Sequence, residues 1–212
     1  MAADELFFRR AIVTGSALVY WAGVWIQARR VRRRIGRSPN LKPRGTKERL
    51  LWAGWALVVA VWLGQPFLAG GSEASFAWRL VPALLHPAGF LMGLGLILAG
   101  YAGTLWCYAA MGDAWRIGVN RKEKTALVAV GPYRFVRHPL YLFQIVMLVG
   151  VLFLLPTVLS LFILGLHFGC VRVKAADEES YLLGMHGEGY RAYQGRTGRL
   201  LPKLGKPSSP IA

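Results

Sequence analysis

Apolar residues along this chain run together in long blocks. Five stand out: Ala11–Gln27, Leu50–Ala69, Ala88–Met111, Leu140–Leu155 and Thr157–Val173. A helix needs about 20 apolar residues to cross a ~30 Å hydrocarbon core, with about 17 as the lower limit. The second and third blocks meet that comfortably, and the first and fifth lie at the limit. Only Pro156 separates the last two. As one helix, residues 140–173 would run ~51 Å at ~1.5 Å per residue, too long to span even with tilt. Proline is tolerated at a helix start and not in its interior. The pattern therefore predicts an all-α integral membrane protein with five transmembrane helices, the last two forming a tight hairpin that turns at Leu155-Pro156-Thr157.

Composition agrees with the blocks and raises one question. Of the 212 residues, 55% are hydrophobic and only 17% charged, yet 26 Lys+Arg stand against 10 Asp+Glu, a net charge of +16. An ordinary globular domain carries about 25% charged residues, and 8 Trp, 8 Tyr and 10 Phe exclude disorder. Both cysteines, Cys107 and Cys170, lie in apolar runs, which excludes a disulfide scaffold.

The location of the charge answers the question. The stretch Ala28–Arg49 holds Arg29, Arg30, Arg32, Arg33, Arg34, Arg37, Lys42, Arg44, Lys47 and Arg49 against Glu48 alone. By the positive-inside rule this loop is cytoplasmic. Five spans then put the N-terminus and residues 70–87 outside, and residues 112–138 and the C-terminal tail inside. Of the 26 cations only Arg9, Arg10 and Arg79 fall outside. The basic loop is thus an orienting device with some attraction to anionic lipid. It lacks interleaved aromatics and nucleic-acid motifs, so no nucleic-acid partner is expected. The first span is expected to stay on the chain, since Asp4-Glu5 replaces the basic start of a cleavable signal.

Two features inside the blocks invite functional readings. In the third, Gly89 with Gly93, Gly95 with Ala99, and Ala99 with Gly103 lie four apart, spacing that lets helices approach closely. In the fifth, His167 has no second histidine or carboxylate at ligand spacing and is read as a hydrogen-bonded structural residue. No HxxxH, CxxC or clustered carboxylate–imidazole set points to a metal.

Chemistry concentrates in the last third. Residues 112–138 end in Gly131-Pro132, a turn signal, and His138-Pro139 opens the fourth span with proline at the first helical turn. The free N–H groups of such a start suit an anion or a hydroxyl-rich ligand. Past the hairpin come Arg172-Val-Lys174-Ala-Ala-Asp177-Glu178-Glu179. Because the hairpin is antiparallel, this acidic cluster should return beside His138. The glycine-rich tail is expected to be loop-like, with a short amphipathic segment at Glu188–Gln194 on the membrane surface.

Those residues carry a family likeness. Gly131-Pro-Tyr-Arg-Phe-Val-Arg-His-Pro-Leu-Tyr141, then Glu178-Glu179, then Gly187-Glu-Gly-Tyr190-Arg-Ala-Tyr193 and Leu201-Pro202 resemble the isoprenylcysteine carboxyl methyltransferase family, which is related to the phospholipid N-methyltransferases. The likeness runs from about Leu105 to Lys203. It implies methyl transfer from S-adenosylmethionine by a membrane-embedded enzyme with a cytoplasmic cofactor pocket, acting on a lipid or a lipidated small molecule or protein. Carried over by motif, Thr125, Ala126, Leu127, Val128 and Tyr133 would line the cofactor pocket. Arg137, His138, Pro139, Leu140 and Tyr141 would meet the cofactor at the helix start, and Glu178 with Glu179 would face it. The family's substrate-associated arginine falls on Lys174, with Arg172 two residues earlier. Lysine keeps the charge but loses the bidentate fork that grips a carboxylate.

Elementary chemistry supports that cofactor. Its sulfonium and ammonium suit carboxylates and aromatic faces, and its carboxylate suits a helix start beside Arg137 or His138. Methyl transfer is in-line displacement governed by positioning and desolvation. A carboxylate or thiolate acceptor needs no base, whereas an amine acceptor must lose a proton, with Glu178, Glu179 or His138 as candidates, so no catalytic base is assigned. Two units are expected, residues 1–110 with three spans and the basic loop 28–49, and residues 111–212 with the methyltransferase core. A bacterial inner membrane is the expected location. Competing readings are an NADPH-dependent membrane reductase of the sterol reductase type and a non-enzymatic membrane scaffold.

Overall fold

The computed structural model describes residues 3–36, 38–39, 43, 45–70, 76–82, 85–115 and 127–203. Six α-helices carry the fold: α1 Ala3–Ile35, α2 Gly45–Leu68, α3 Pro87–Met111, α4 Pro139–Leu154, α5 Val158–His186 and α6 Glu188–Arg196. The described residues hold no β-strands, only two isolated bridges. Four helices, α1, α2, α3 and α5, contain stretches long and apolar enough to cross a membrane. The fourth expected span, α4, is a shorter apolar helix of 16 residues, ~24 Å long at the usual rise.

Helix ends depart from the expected block boundaries for electrostatic reasons. The expected loop 28–49 is partly helical, because α1 runs on to Ile35 with Arg32, Arg33 and Arg34 in its last turn and Asp4 and Glu5 in its first. Both groups complement the helix dipole. Likewise α5 continues well past Val173 to His186 and stops at Gly187, whose φ of 49° suits glycine. The tail is therefore not loop-like: α5 passes through Gly184, and α6 docks with Tyr190 and Tyr193 buried.

The hairpin turns where the proline predicts. Thr157 caps α5 by accepting from the Ser160 N–H at 3.0 Å. Gln65 Oε1 of α2 accepts from Ser160 Oγ at 2.9 Å and from Thr157 Oγ1 at 3.2 Å. At the same end, the fully buried Arg9 pairs with Glu5 at 2.9 Å and donates to the Phe153 and Leu154 carbonyls, each at 3.2 Å. Those carbonyls belong to the unpaired last turn of α4. Arg9 thus serves as a cap, a role its sequence position does not announce.

Helices α3 and α4 make the tightest seam. A Cβ on Gly103 would stand 2.2 Å from the Phe143 ring, one on Gly100 2.2 Å from Met147 Cγ, and one on Gly93 2.8 Å from Leu154 Cγ. The register is antiparallel. It corrects one expectation: Gly95 and Ala99 face away from this seam, and a Cβ on Gly95 meets nothing within 4 Å. The core collects Val13, Ala17, Val58, Ile97, Met147, Val151 and Ile163. Leu57, Leu91, Leu98, Leu105 and Leu161 point outward instead, as a lipid-facing surface requires.

His167 is also corrected. It is buried on α5, and among the described residues neither ring nitrogen has a hydrogen-bond partner. Burial removes the ring from solvent without bringing a donor or acceptor of the described residues within reach.

Candidate functional site at the start of α4

The chain approaches α4 through a short 3-10 turn, Gly131–Arg134, that brings Pro132 and Tyr133 into the interior. Gly131 makes this possible. Its φ is +58°, and a Cβ there would press on Ala110 at 2.9 Å. Tyr133 donates to Met111 Sδ at 2.8 Å, and its carbonyl accepts from the Tyr193 hydroxyl at 2.6 Å. Burial pushes the Tyr193 phenol up to about 12, so it remains a donor at neutral pH.

The C-terminal segment then lies alongside residues 135–138. The Arg137 N–H donates to the Gly198 carbonyl at 2.8 Å and the His138 N–H to the Arg199 carbonyl at 3.0 Å. The Arg137 guanidinium also donates to the Thr197 carbonyl. Pro139 follows at the first helical position, and no side chain caps α4. A helix start without a cap presents unsatisfied amides and the positive end of the dipole.

Opposite this start, α5 supplies the paired glutamates, as the antiparallel hairpin predicts. The apolar part of α5 ends at Val173, so both glutamates lie beyond it. His138 sits between them, with Nδ1 3.4 Å from Glu178 Oε2 and Nε2 3.3 Å from Glu179 Oε1. Burial disfavours charge on the imidazole, but the two carboxylates outweigh it and the His138 pKa is raised. Tyr141, one turn into α4, stacks its ring on His138 at 5.7 Å between centroids and donates to Glu178 Oε1 at 2.9 Å.

The two glutamates have different work. Glu179 is taken up by protein: Arg137 Nε approaches at 2.8 Å, and Arg199 binds through Nε at 3.1 Å and Nη2 at 2.6 Å. Burial opposes its charge, yet His138, Arg199 and Arg137 prevail and hold the carboxyl well below the usual range. Glu178 accepts one ordinary hydrogen bond, from Tyr141, and keeps 22% of its side chain exposed. It is the carboxylate with capacity to spare.

Arg137, His138, Tyr141, Glu178 and Glu179 are thus brought together, with Tyr133 behind them. Leu127 and Val128 are half-buried in the extended stretch leading to Gly131, whereas Thr125 and Ala126 lie outside the described residues. The two substrate candidates part company. Lys174 is buried on the same face of α5 as Glu178, one turn deeper, while Arg172 is exposed with its guanidinium 6.0 Å over Phe168. Arg199, Thr197 and Gly198 were not legible as site residues, since nothing in their spacing marks a strap. One further group fits a polar ligand: the fully buried Tyr190 hydroxyl has no partner among the described residues.

Comparison with known proteins fits this geometry. Residues 93–184 match the model of the isoprenylcysteine carboxyl methyltransferase family. The resemblance carried by Arg-His-Pro and Glu-Glu is therefore borne out from the middle of α3 to the end of α5. The chain is also 29% identical over 150 residues to the nickel-cobalt-cadmium resistance protein NccN of Alcaligenes xylosoxydans xylosoxydans, an alignment covering 71% of this chain and 63% of that protein.

Proposed function

We propose that this chain is an S-adenosylmethionine-dependent methyltransferase that modifies a lipid or lipidated substrate, of the isoprenylcysteine carboxyl type, at the start of α4. The observation that carries this reading is the imidazole of His138 held between Glu178 and Glu179 beside an uncapped helix start. Bound there, S-adenosylmethionine would supply an electrophilic methyl group on a sulfonium. The donor set suits it. Glu178 and the Tyr141 ring favour cationic groups, and the α4 start with His138 favours a carboxylate. The unpartnered Tyr190 hydroxyl adds a donor.

The roles of the chain's own residues follow from how each is committed. Glu179 positions: with Arg137 and Arg199 it fixes the relation of α4, α5 and the C-terminal segment. The two carboxylates beside His138 favour charge on its imidazole, which suits it to binding and orienting an anionic group. Glu178 is free to bind. Lys174 offers a point charge one turn deeper toward the bilayer, where the polar end of an apolar substrate would meet it. Such an arrangement catalyses by holding the reacting groups in line and away from water. The methyltransferase core is residues 111–212, with α1–α3 as its membrane frame.

In this reading α4 is a fifth, short span in a bacterial inner membrane. The N-terminus is outside, and the site opens to the cytoplasm beside the arginine-rich end of α1. The test is transfer of a labelled methyl group from S-adenosylmethionine to an organic-extractable product. Purified protein in lipid should label a farnesylated cysteine or a component of total lipid extract, and His138→Ala should not. Absence of label from all acceptors, together with NADPH oxidation on an unsaturated lipid, would favour the reductase reading instead.

A further inference from the structure

A second feature at the same end of the bundle is a cleft of about 410 Å³ between residues 129–131 and α6. Tyr193 and Thr197 form part of its wall, and Arg134 and Arg196 complete the lining. The wall's polar groups are already committed, the Tyr193 hydroxyl to the Tyr133 carbonyl and the Thr197 carbonyl to Arg137. Among the described residues no acid lines the cleft. Arg134 rests its guanidinium 5.5 Å over the Phe135 ring. Both arginines are exposed, so the cleft presents two guanidinium groups and no compensating charge among the described residues.

Its depth relative to the bilayer follows from α3. A Cβ on Gly131 would lie 3.2 Å from Trp106 Nε1, which sets the cleft against the last turns of that span. Trp106 is 48% exposed, in the position tryptophans take where a span leaves the hydrocarbon. The cleft therefore opens at headgroup level. Val130 in its lining and Phe135 beside Arg134 are exposed as well, giving apolar surface next to the cations.

We propose that this cleft binds the phosphate of an anionic phospholipid headgroup, clamped by Arg134 and Arg196 with the acyl chains against Val130 and Phe135. Guanidinium forks match phosphate oxygens in geometry as well as charge. The proposal requires only that the chain sits in a bilayer.

The test uses the full chain in nanodiscs of phosphatidylcholine with or without phosphatidylglycerol. The wild-type unfolding temperature should rise with phosphatidylglycerol, and Arg134→Gln/Arg196→Gln should lose at least roughly half of that rise. Arg30→Gln/Arg33→Gln, which removes equal charge from α1, should keep it. Native mass spectrometry of the single Arg196→Gln variant should retain fewer phosphatidylglycerol molecules than wild type, a readout that survives if the double variant does not fold. Three results would overturn the proposal. These are an equal rise in the cleft variant, an equal loss in the α1 variant, or the same rise on adding inorganic phosphate in phosphatidylcholine alone. Weaker binding of S-adenosylhomocysteine in the cleft variants would also overturn it, by assigning the cleft to the cofactor.

Discussion

Arg137 Nε lies 2.8 Å from Glu179 Oε1, joining the residue pair that opens α4 to the far end of α5. Arg199 grips the same carboxylate at 2.6 Å from the C-terminal segment. One side chain therefore holds three separate parts of the chain in register. Its neighbour Glu178 makes no such three-way tie and accepts from Tyr141 alone at ordinary hydrogen-bond distance.

Removing Glu179 should damage the fold, and removing Glu178 should not. Glu179→Ala leaves two arginines facing a buried gap, a change worth about 3–5 kcal/mol where a buried pair is broken. Glu178→Gln keeps the shape and gives up one partly exposed charge, a cost of about 1 kcal/mol. Thermal unfolding in detergent distinguishes them, and equal shifts for the two variants would refute the division of roles.

The site should also respond to pH on both sides of neutrality. The folded pKa of His138 lies above its ordinary value, so its contribution is complete below the ordinary histidine range and is lost as pH rises through the raised value. The folded pKa of Glu179 is depressed, so its contribution is present above the ordinary carboxylate range and is lost as pH falls through the depressed value. Stability should decline on the alkaline side with a slope of at most about 1.4 kcal/mol per pH unit. His138→Gln should flatten that decline, as read by unfolding midpoints across the pH range.

The α3–α4 seam gives a test of packing. Gly103→Ala places a methyl 2.2 Å from the Phe143 ring and should cost about 1–3 kcal/mol through overpacking. Gly95→Ala, with nothing within 4 Å, should be neutral or slightly stabilising, because alanine favours helix. Comparable losses at both positions would show that the seam is misassigned.

Much of this architecture was legible because lipid makes simple demands. Apolar blocks announced the helices, Pro156 announced the hairpin, and antiparallel geometry brought Glu178 and Glu179 back to His138. What stayed hidden depends on tertiary contact. Spacing picked out Gly93 and Gly103 correctly but added Gly95 and Ala99 and missed Gly100, because the helix face, not the spacing, decides which residues meet α4. Arg9 counted in the sequence only as one of three outside cations, and its capping role needs the last-turn carbonyls of α4. Arg199 sits in no motif, and its role exists only because the tail folds back along residues 135–138. His167, expected to be hydrogen-bonded, has no partner among the described residues.

Orientation can be checked with single cysteines, since Cys107 and Cys170 are both buried. In intact cells an impermeant thiol reagent should label Phe76→Cys, 73% exposed in the connection after α2. It should leave Arg30→Cys unlabelled until the membrane is breached. The opposite pattern would invert the proposed topology.

The most direct test of the central claim is calorimetric titration of the detergent-purified chain with S-adenosylhomocysteine and, separately, with NADPH. Saturable binding of the first and none of the second is the expected result. Glu178→Gln should weaken S-adenosylhomocysteine binding by about tenfold, ~1.4 kcal/mol, while the chain stays folded. Binding of NADPH with no response to S-adenosylhomocysteine, or unchanged affinity in Glu178→Gln, would contradict that claim.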